Sequence, residues 1–205
     1  MTKDKDWFGG IPDGWPPEDE DQGEAAPEFV APRPLGKRMG TEDMPVRTVP
    51  RIPGLFRGPR PGYPMRAVGK ETLQAGVDVL HKIGVEVICC LLSDAEYFKY
   101  YGIDLLRYYR GQGFRVLRFP VPDFGVPRTP FMVRLCKEVT ALLPKTKVYV
   151  HCSAGQGRTG LALNCLLEYR RLVEGKSLKK LDFGQETVEQ ANFLAVFRHT
   201  LSKTK

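Results

Sequence analysis

Lys147-Val148-Tyr149-Val150-His151-Cys152-Ser153-Ala154-Gly155-Gln156-Gly157-Arg158-Thr159-Gly160 is the stretch on which the reading of this chain turns. A short apolar run ends at Val150, a long apolar run follows Gly160, and the loop between them is poor in bulky side chains. That pattern predicts a central strand, a tight loop and a helix beginning near Gly160. Gly155 and Gly157 let the backbone curl, because glycine tolerates positive φ. The curl aims the amides of Ser153, Ala154, Gly155, Gln156, Gly157 and Arg158 at one centre. Amides converging at a helix N-terminus bind phosphate, since donors and dipole both favour negative charge. Cys152 lies at the base of this cradle, where the dipole and Arg158 favour its thiolate. Arg158 adds a planar fork for two phosphate oxygens, a geometry that lysine does not reproduce. The Thr159 hydroxyl is placed to hydrogen-bond the sulfur and help it leave, and His151 to fix the loop backbone rather than move protons. A lone cysteine would read as a packing residue. Cys-x5-Arg spacing, two glycines, Thr-Gly and the strand–loop–helix setting together point to a nucleophile.

Upstream, Pro120-Val121-Pro122-Asp123-Phe124-Gly125-Val126-Pro127 follows a predicted strand. An aspartate flanked by prolines and glycine usually caps a turn. Beside a phosphate-binding cysteine loop, Asp123 instead reads as the general acid that a departing ester oxygen requires.

Working outward, Val49 to Gly58 is broken by proline and reads as an edge strand or hairpin. Lys70 to Ile83 carries Leu73, Val77 and Leu80 at helical spacing, with Gly84 as a stop. Val85 to Leu92 is a buried strand, followed by helices at Asp94–Tyr101 and Asp104–Arg110. Arg115 to Phe119 forms another strand, and Pro130 introduces a helix over Phe131–Leu143. A last helix runs from Glu186 to about Thr200, with Val188, Ala191, Leu194 and Phe197 expected on its buried stripe. Helices alternating with buried strands give an α/β fold: a mainly parallel central sheet flanked by helices.

The two ends of the chain differ in charge. Residues 1–30 hold nine acids against two lysines, a net of −7, while the whole chain is +7, leaving +14 for residues 31–205. Residues 1–45, acidic and rich in Pro and Gly, read as a mostly disordered tail ahead of a catalytic domain at 46–205. Such a tail, with Trp7, Phe8 and Trp15, is able to fold back across the basic domain. The basic body attracts anionic substrates. Nucleic acid is not the expected partner, because no arginine-rich run, zinc-ligand spacing or aromatic RNA-binding signature is present. No apolar stretch is long enough to span a membrane, no secretory signal is visible, and five cysteines without a disulfide pattern fit a reducing interior, so a cytoplasmic location is expected.

Residues 151–160 resemble the protein tyrosine phosphatase superfamily, whose signature is His-Cys-x-x-Gly-x-x-Arg-Ser/Thr-Gly. Over residues 46–200 the chain is most similar to dual-specificity phosphatases, in particular the branch of the cyclin-dependent-kinase-associated phosphatase. The resemblance implies a cysteine phosphatase fold and a two-step reaction without metal or cofactor: Cys152 as nucleophile, Arg158 as phosphate ligand, Thr159 as stabiliser of the leaving thiolate and Asp123 as acid. It implies a phosphoprotein substrate. Lipid-directed relatives often carry lysine or arginine inside the loop, whereas Ser153, Ala154, Gln156 and Gly157 are neutral here. The chain also leaves no room for the insertion that deepens the pocket of tyrosine-specific members, so phosphoserine and phosphothreonine are expected substrates beside phosphotyrosine. Phe124 and Gln156 are candidate rim contacts. A phosphoinositide or RNA 5′-phosphate substrate and a non-catalytic phosphate-binding module are the rival readings. Relatives position the hydrolytic water with a Gln-Thr-x-x-Gln stretch. Here Gln190 matches while Glu186 replaces the first glutamine, leaving Gln190 open between that role and an ordinary helix-surface position. Cys89 or Cys90 would correspond to a cysteine that, in some relatives, protects the nucleophile through a reversible disulfide; packing is the plainer alternative.

Overall fold

A computed structural model describes residues 37–42, 44–143, 145–176 and 181–203. The expected disorder of the acidic tail therefore falls largely on residues outside those described. Five strands, β1 (Arg47–Thr48), β2 (Leu55–Gly58), β3 (Val87–Cys90), β4 (Arg115–Arg118) and β5 (Val148–His151), form one sheet in the order β1-β2-β5-β3-β4. All neighbours are parallel except β1, which pairs antiparallel with β2. Val49 to Gly58 is thus half of a hairpin but not an edge. β2 is buried along its length, and the short β1 takes the edge. Backbone pairing extends back to Lys37, ahead of the expected start at Val46, with Arg38 bridging Arg47 and Met44 buried.

The period-two geometry of the strands divides the core into two layers. Val87, Cys89, Val148 and Val150 face one side, against α4 (Thr129–Leu142), α5 (Gly157–Leu172) and α6 (Val188–Ser202). Ile88, Cys90 and Tyr149 face the other, against α1 (Lys70–Ile83), α2 (Asp94–Tyr101) and α3 (Leu105–Gly111). α5 is covered nearly all round, with Gly157 to Glu168 buried without a break, the polar Arg158, Thr159, Asn164 and Glu168 included.

α6 departs from its expected stripe. Val188 is 77% exposed and Ala191 is exposed, whereas Gln190, Phe193, Leu194, Phe197 and Leu201 are buried. A strict three-residue spacing drifts around a helix of 3.6 residues per turn, so only part of the guessed stripe faces the core. Among the described residues, no helix is long and apolar enough to cross a membrane.

Candidate active site

The parallel strands end together, and the loop after the central one, β5, opens at their carboxyl edge, as expected for ligand sites in such sheets. Cys152 begins that loop and is 3% exposed. The helix starts at Gly157, three residues earlier than the sequence suggested. Gly155 has φ +71°, and a β-carbon there would strike the Gly58 carbonyl and Pro59, so both backbone conformation and space require glycine. Two arginines from the β2 end brace the loop. Arg57 donates to the Gly155 carbonyl at 2.7 Å and lies over the Phe183 ring. Arg60 donates from its backbone to the Ser153 carbonyl at 2.9 Å and from Nε to Ser153 Oγ at 3.2 Å. Burial pushes the Arg57 pKa down, opposed first by the Cys152 sulfur.

Arg158 is held more firmly still. Its two terminal nitrogens donate to the two Glu96 carboxylate oxygens at 2.7 Å each, and Nη1 also reaches the Val121 carbonyl at 3.1 Å. Nη2 makes an ion pair with Asp123 Oδ1 at 2.8 Å. Burial works against the Arg158 charge. The Glu96 hydrogen bonds, followed by the Cys152 sulfur and the two carboxylates, outweigh it and raise its pKa. The arrangement brings Cys152, Arg158 and Asp123 into one electrostatic cluster, with Asp123 half-exposed on the loop after β4 and Phe124, at φ +56°, exposed beside it.

His151 is fully buried. Its Nδ1 donates to the Cys152 carbonyl at 3.0 Å, which leaves Nε2 to accept from Tyr109 Oη at 3.4 Å. Burial lowers its pKa to about 4, so the ring is neutral near pH 7 and anchors the backbone. Thr159 Oγ1 is buried with no hydrogen-bond partner among the described residues, so the expected bond to the sulfur is not made in this structure; the Gln156 side-chain oxygen is likewise buried and without a partner among them.

Gln190 is not a surface residue. It is 0% exposed, accepts from Glu186 N at 2.9 Å and donates to the Gly125 carbonyl at 3.3 Å. Thr187 Oγ1, the N-cap of α6, donates to the Phe124 carbonyl at 3.2 Å. The 186–190 segment therefore braces the Asp123 loop. Glu186 itself has a raised pKa, because burial and then Asp123 disfavour its charge more than Arg158 and the Gly157 N–H support it. Cys89 and Cys90 are buried on β3 beside β5, and burial pushes the Cys90 thiol up to about 12; all five cysteines are free.

Glu96 is the main site residue that sequence reading missed. Its local signature was legible: Ser93-x-x-Glu96 is a capping box, and both reciprocal bonds are present at the start of α2. Its second duty, to a guanidinium 62 residues away, depends on tertiary structure.

A model of the family described as a polymorphic toxin system DSP-PTPase phosphatase matches residues 64–170, just over half of the chain. The Rattus norvegicus protein named cyclin-dependent kinase inhibitor 3 is 26% identical over 150 residues, covering 69% of this chain and 70% of its own. An Arabidopsis thaliana protein named phosphatidylinositol 3,4,5-trisphosphate 3-phosphatase and protein-tyrosine-phosphatase PTEN1 is 37% identical over 114 residues, 53% of this chain and 25% of its own. Among solved structures, a kinase associated phosphatase with its catalytic-site cysteine replaced by serine superposes with a TM-score of 0.56 at 24% identity, over 72% of this chain and 86% of that one. This last likeness establishes the fold.

Proposed function

This chain belongs to the DSP-PTPase phosphatase family, and we propose that within it the protein hydrolyses phosphotyrosine and phosphoserine/threonine in proteins through a phosphocysteine intermediate. The observation that carries the reading is the Arg158 guanidinium, fixed by Glu96 at 2.7 Å and 2.7 Å and ion-paired with Asp123 at 2.8 Å next to the nucleophile loop. The Cys152 sulfur attacks phosphorus in line as the bond from phosphorus to the ester oxygen breaks. Asp123 gives its proton to that leaving oxygen. Loop amides and Arg158 take up charge on the equatorial oxygens. Water then attacks the phosphocysteine with Asp123, now a carboxylate, accepting its proton. The thiolate departs, and the Thr159 hydroxyl, otherwise without a partner, stabilises it.

Neutral side chains at Ser153, Ala154 and Gln156 support a phosphoprotein, since no cation within the loop awaits a second phosphate. The likeness to the Arabidopsis protein favours a second reading, an inositol phospholipid. Turnover compared across phosphotyrosine, phosphoserine and phosphothreonine peptides and phosphatidylinositol 3,4,5-trisphosphate vesicles decides between them. Peptide kcat/KM exceeding the lipid value by about tenfold or more supports the proposal; the reverse order overturns it.

A further inference from the structure

The turn ahead of α6 lays a second carboxylate against the phosphate loop. Gln156, the N-cap of α5, offers no side-chain bond to the first turn of its helix. The first N–H groups of a helix have no partner within it. Glu186 reaches that end from a distant part of the chain. Its carboxylate lies on Gly157, the first residue of α5, in the space that a β-carbon would fill. The position is built: Glu186 N is held by the buried Gln190, which also binds Gly125, and neighbouring Thr187 binds Phe124.

We propose that Glu186 tunes phosphate affinity as an internal anion that competes with the substrate's phosphate for the N-terminal amides of α5, so that phosphate binding weakens as Glu186 ionises. The inference rests on residues 152–158 being the phosphate cradle. An arriving phosphate must displace an ionised Glu186 from Gly157 and then sit beside it, in the field of a guanidinium already shared with Asp123. Like charges so placed oppose one another. A protonated Glu186 removes the repulsion and is able to donate a hydrogen bond to a phosphate oxygen. The groups facing Glu186 set where the change falls. Burial, then Asp123, move its ionisation to higher pH; Arg158 and the Gly157 N–H pull it back only in part, so the change lies above the usual carboxylate range.

Calorimetric titration of inorganic phosphate into the Cys152→Ser protein, with and without Glu186→Gln, from about pH 5 to about pH 8 tests this. The ratio of the two affinities is expected to rise with pH and to reach about tenfold in favour of Glu186→Gln at the alkaline end, the size of one partly exposed like-charge contact. Sulfate, whose charge is constant over this range, is titrated in parallel, and the same rise with sulfate separates the ionisation of Glu186 from that of phosphate. Glu186→Ala repeats the comparison without a replacement hydrogen-bonding group and should give the same rise. A ratio constant with pH in both variants overturns the proposal. Failure of the Cys152→Ser protein to bind phosphate with either residue at 186 overturns instead the phosphate-cradle reading beneath it.

Discussion

Replacing Glu96 by glutamine keeps the shape of the side chain and removes the charge that holds Arg158. The pair is buried, with side-chain exposures of 2% for Arg158 and 12% for Glu96, so solvent screening does little to soften the loss. Breaking a buried pair on one side costs about 3–5 kcal/mol. Glutamine still offers one oxygen to the guanidinium, and the half-exposed Asp123 and the Val121 carbonyl remain, which places the expected loss at the lower end, about 3 kcal/mol. The same substitution weakens the cap of α2, because Glu96 Oε2 also accepts from Ser93 N at 2.9 Å and from Ser93 Oγ at 3.1 Å. Urea unfolding followed by far-ultraviolet circular dichroism measures the stability. With its two-point clamp reduced to one point, Arg158 is held less firmly, and kcat on para-nitrophenyl phosphate should fall about a hundredfold, as for other small misplacements of catalytic groups. A stability change under about 0.5 kcal/mol, the range of ordinary surface substitutions, together with an unaltered kcat would refute the reasoning.

Three further outcomes follow from the site. Gly155→Ala forces a β-carbon into the Gly58 carbonyl at φ +71°; an expected loss of about 2 kcal/mol or more, with activity abolished, is checked by thermal melting and turnover, and an active protein of parental stability contradicts it. Asp123→Asn removes the proton donor but leaves Glu96 holding Arg158, so kcat should drop roughly a hundredfold or more for phenyl phosphate and much less for a nitrophenyl ester that leaves without help; equal losses on both substrates count against the acid role. His151, lowered to about 4 by burial, binds fewer protons folded than unfolded. Its contribution is therefore complete above roughly pH 6.5 and is lost as pH falls towards 4, a span of about 3 kcal/mol. His151→Asn should flatten that acid limb of stability against pH, and an unchanged slope would show that other groups create it.

Much of the architecture was legible because local and tertiary preferences agree. The β-branched runs at Val85 to Leu92 and Lys147 to Val150 are strands because they are buried on both faces, and the helix at Lys70–Ile83 ends at Gly84, the stop read in the sequence. That Arg158 returns to the Cys152 loop was legible because spacing and glycine placement write both into a single segment, whereas Asp123 meets Arg158 from the separate loop after β4. Arg57 and Arg60 were not legible, since their duty arises only when β2 pairs in parallel with β5 and sets two arginines under a loop nearly a hundred residues further on. Gln190 was left undecided for a related reason. Surface and core glutamines look alike in a sequence, and only the Asp123 loop packed on α6 turns both ends of its amide inward.

The identity of the atom that carries the phosphoryl group is the most direct test. Rapid acid quenching during turnover of an aryl phosphate, followed by peptide mass mapping, should find one phosphoryl group on the peptide holding Cys152, with the modification absent and hydrolysis lost in Cys152→Ser. Sustained hydrolysis by Cys152→Ser, or a phosphoryl group found on any other residue, would contradict the account.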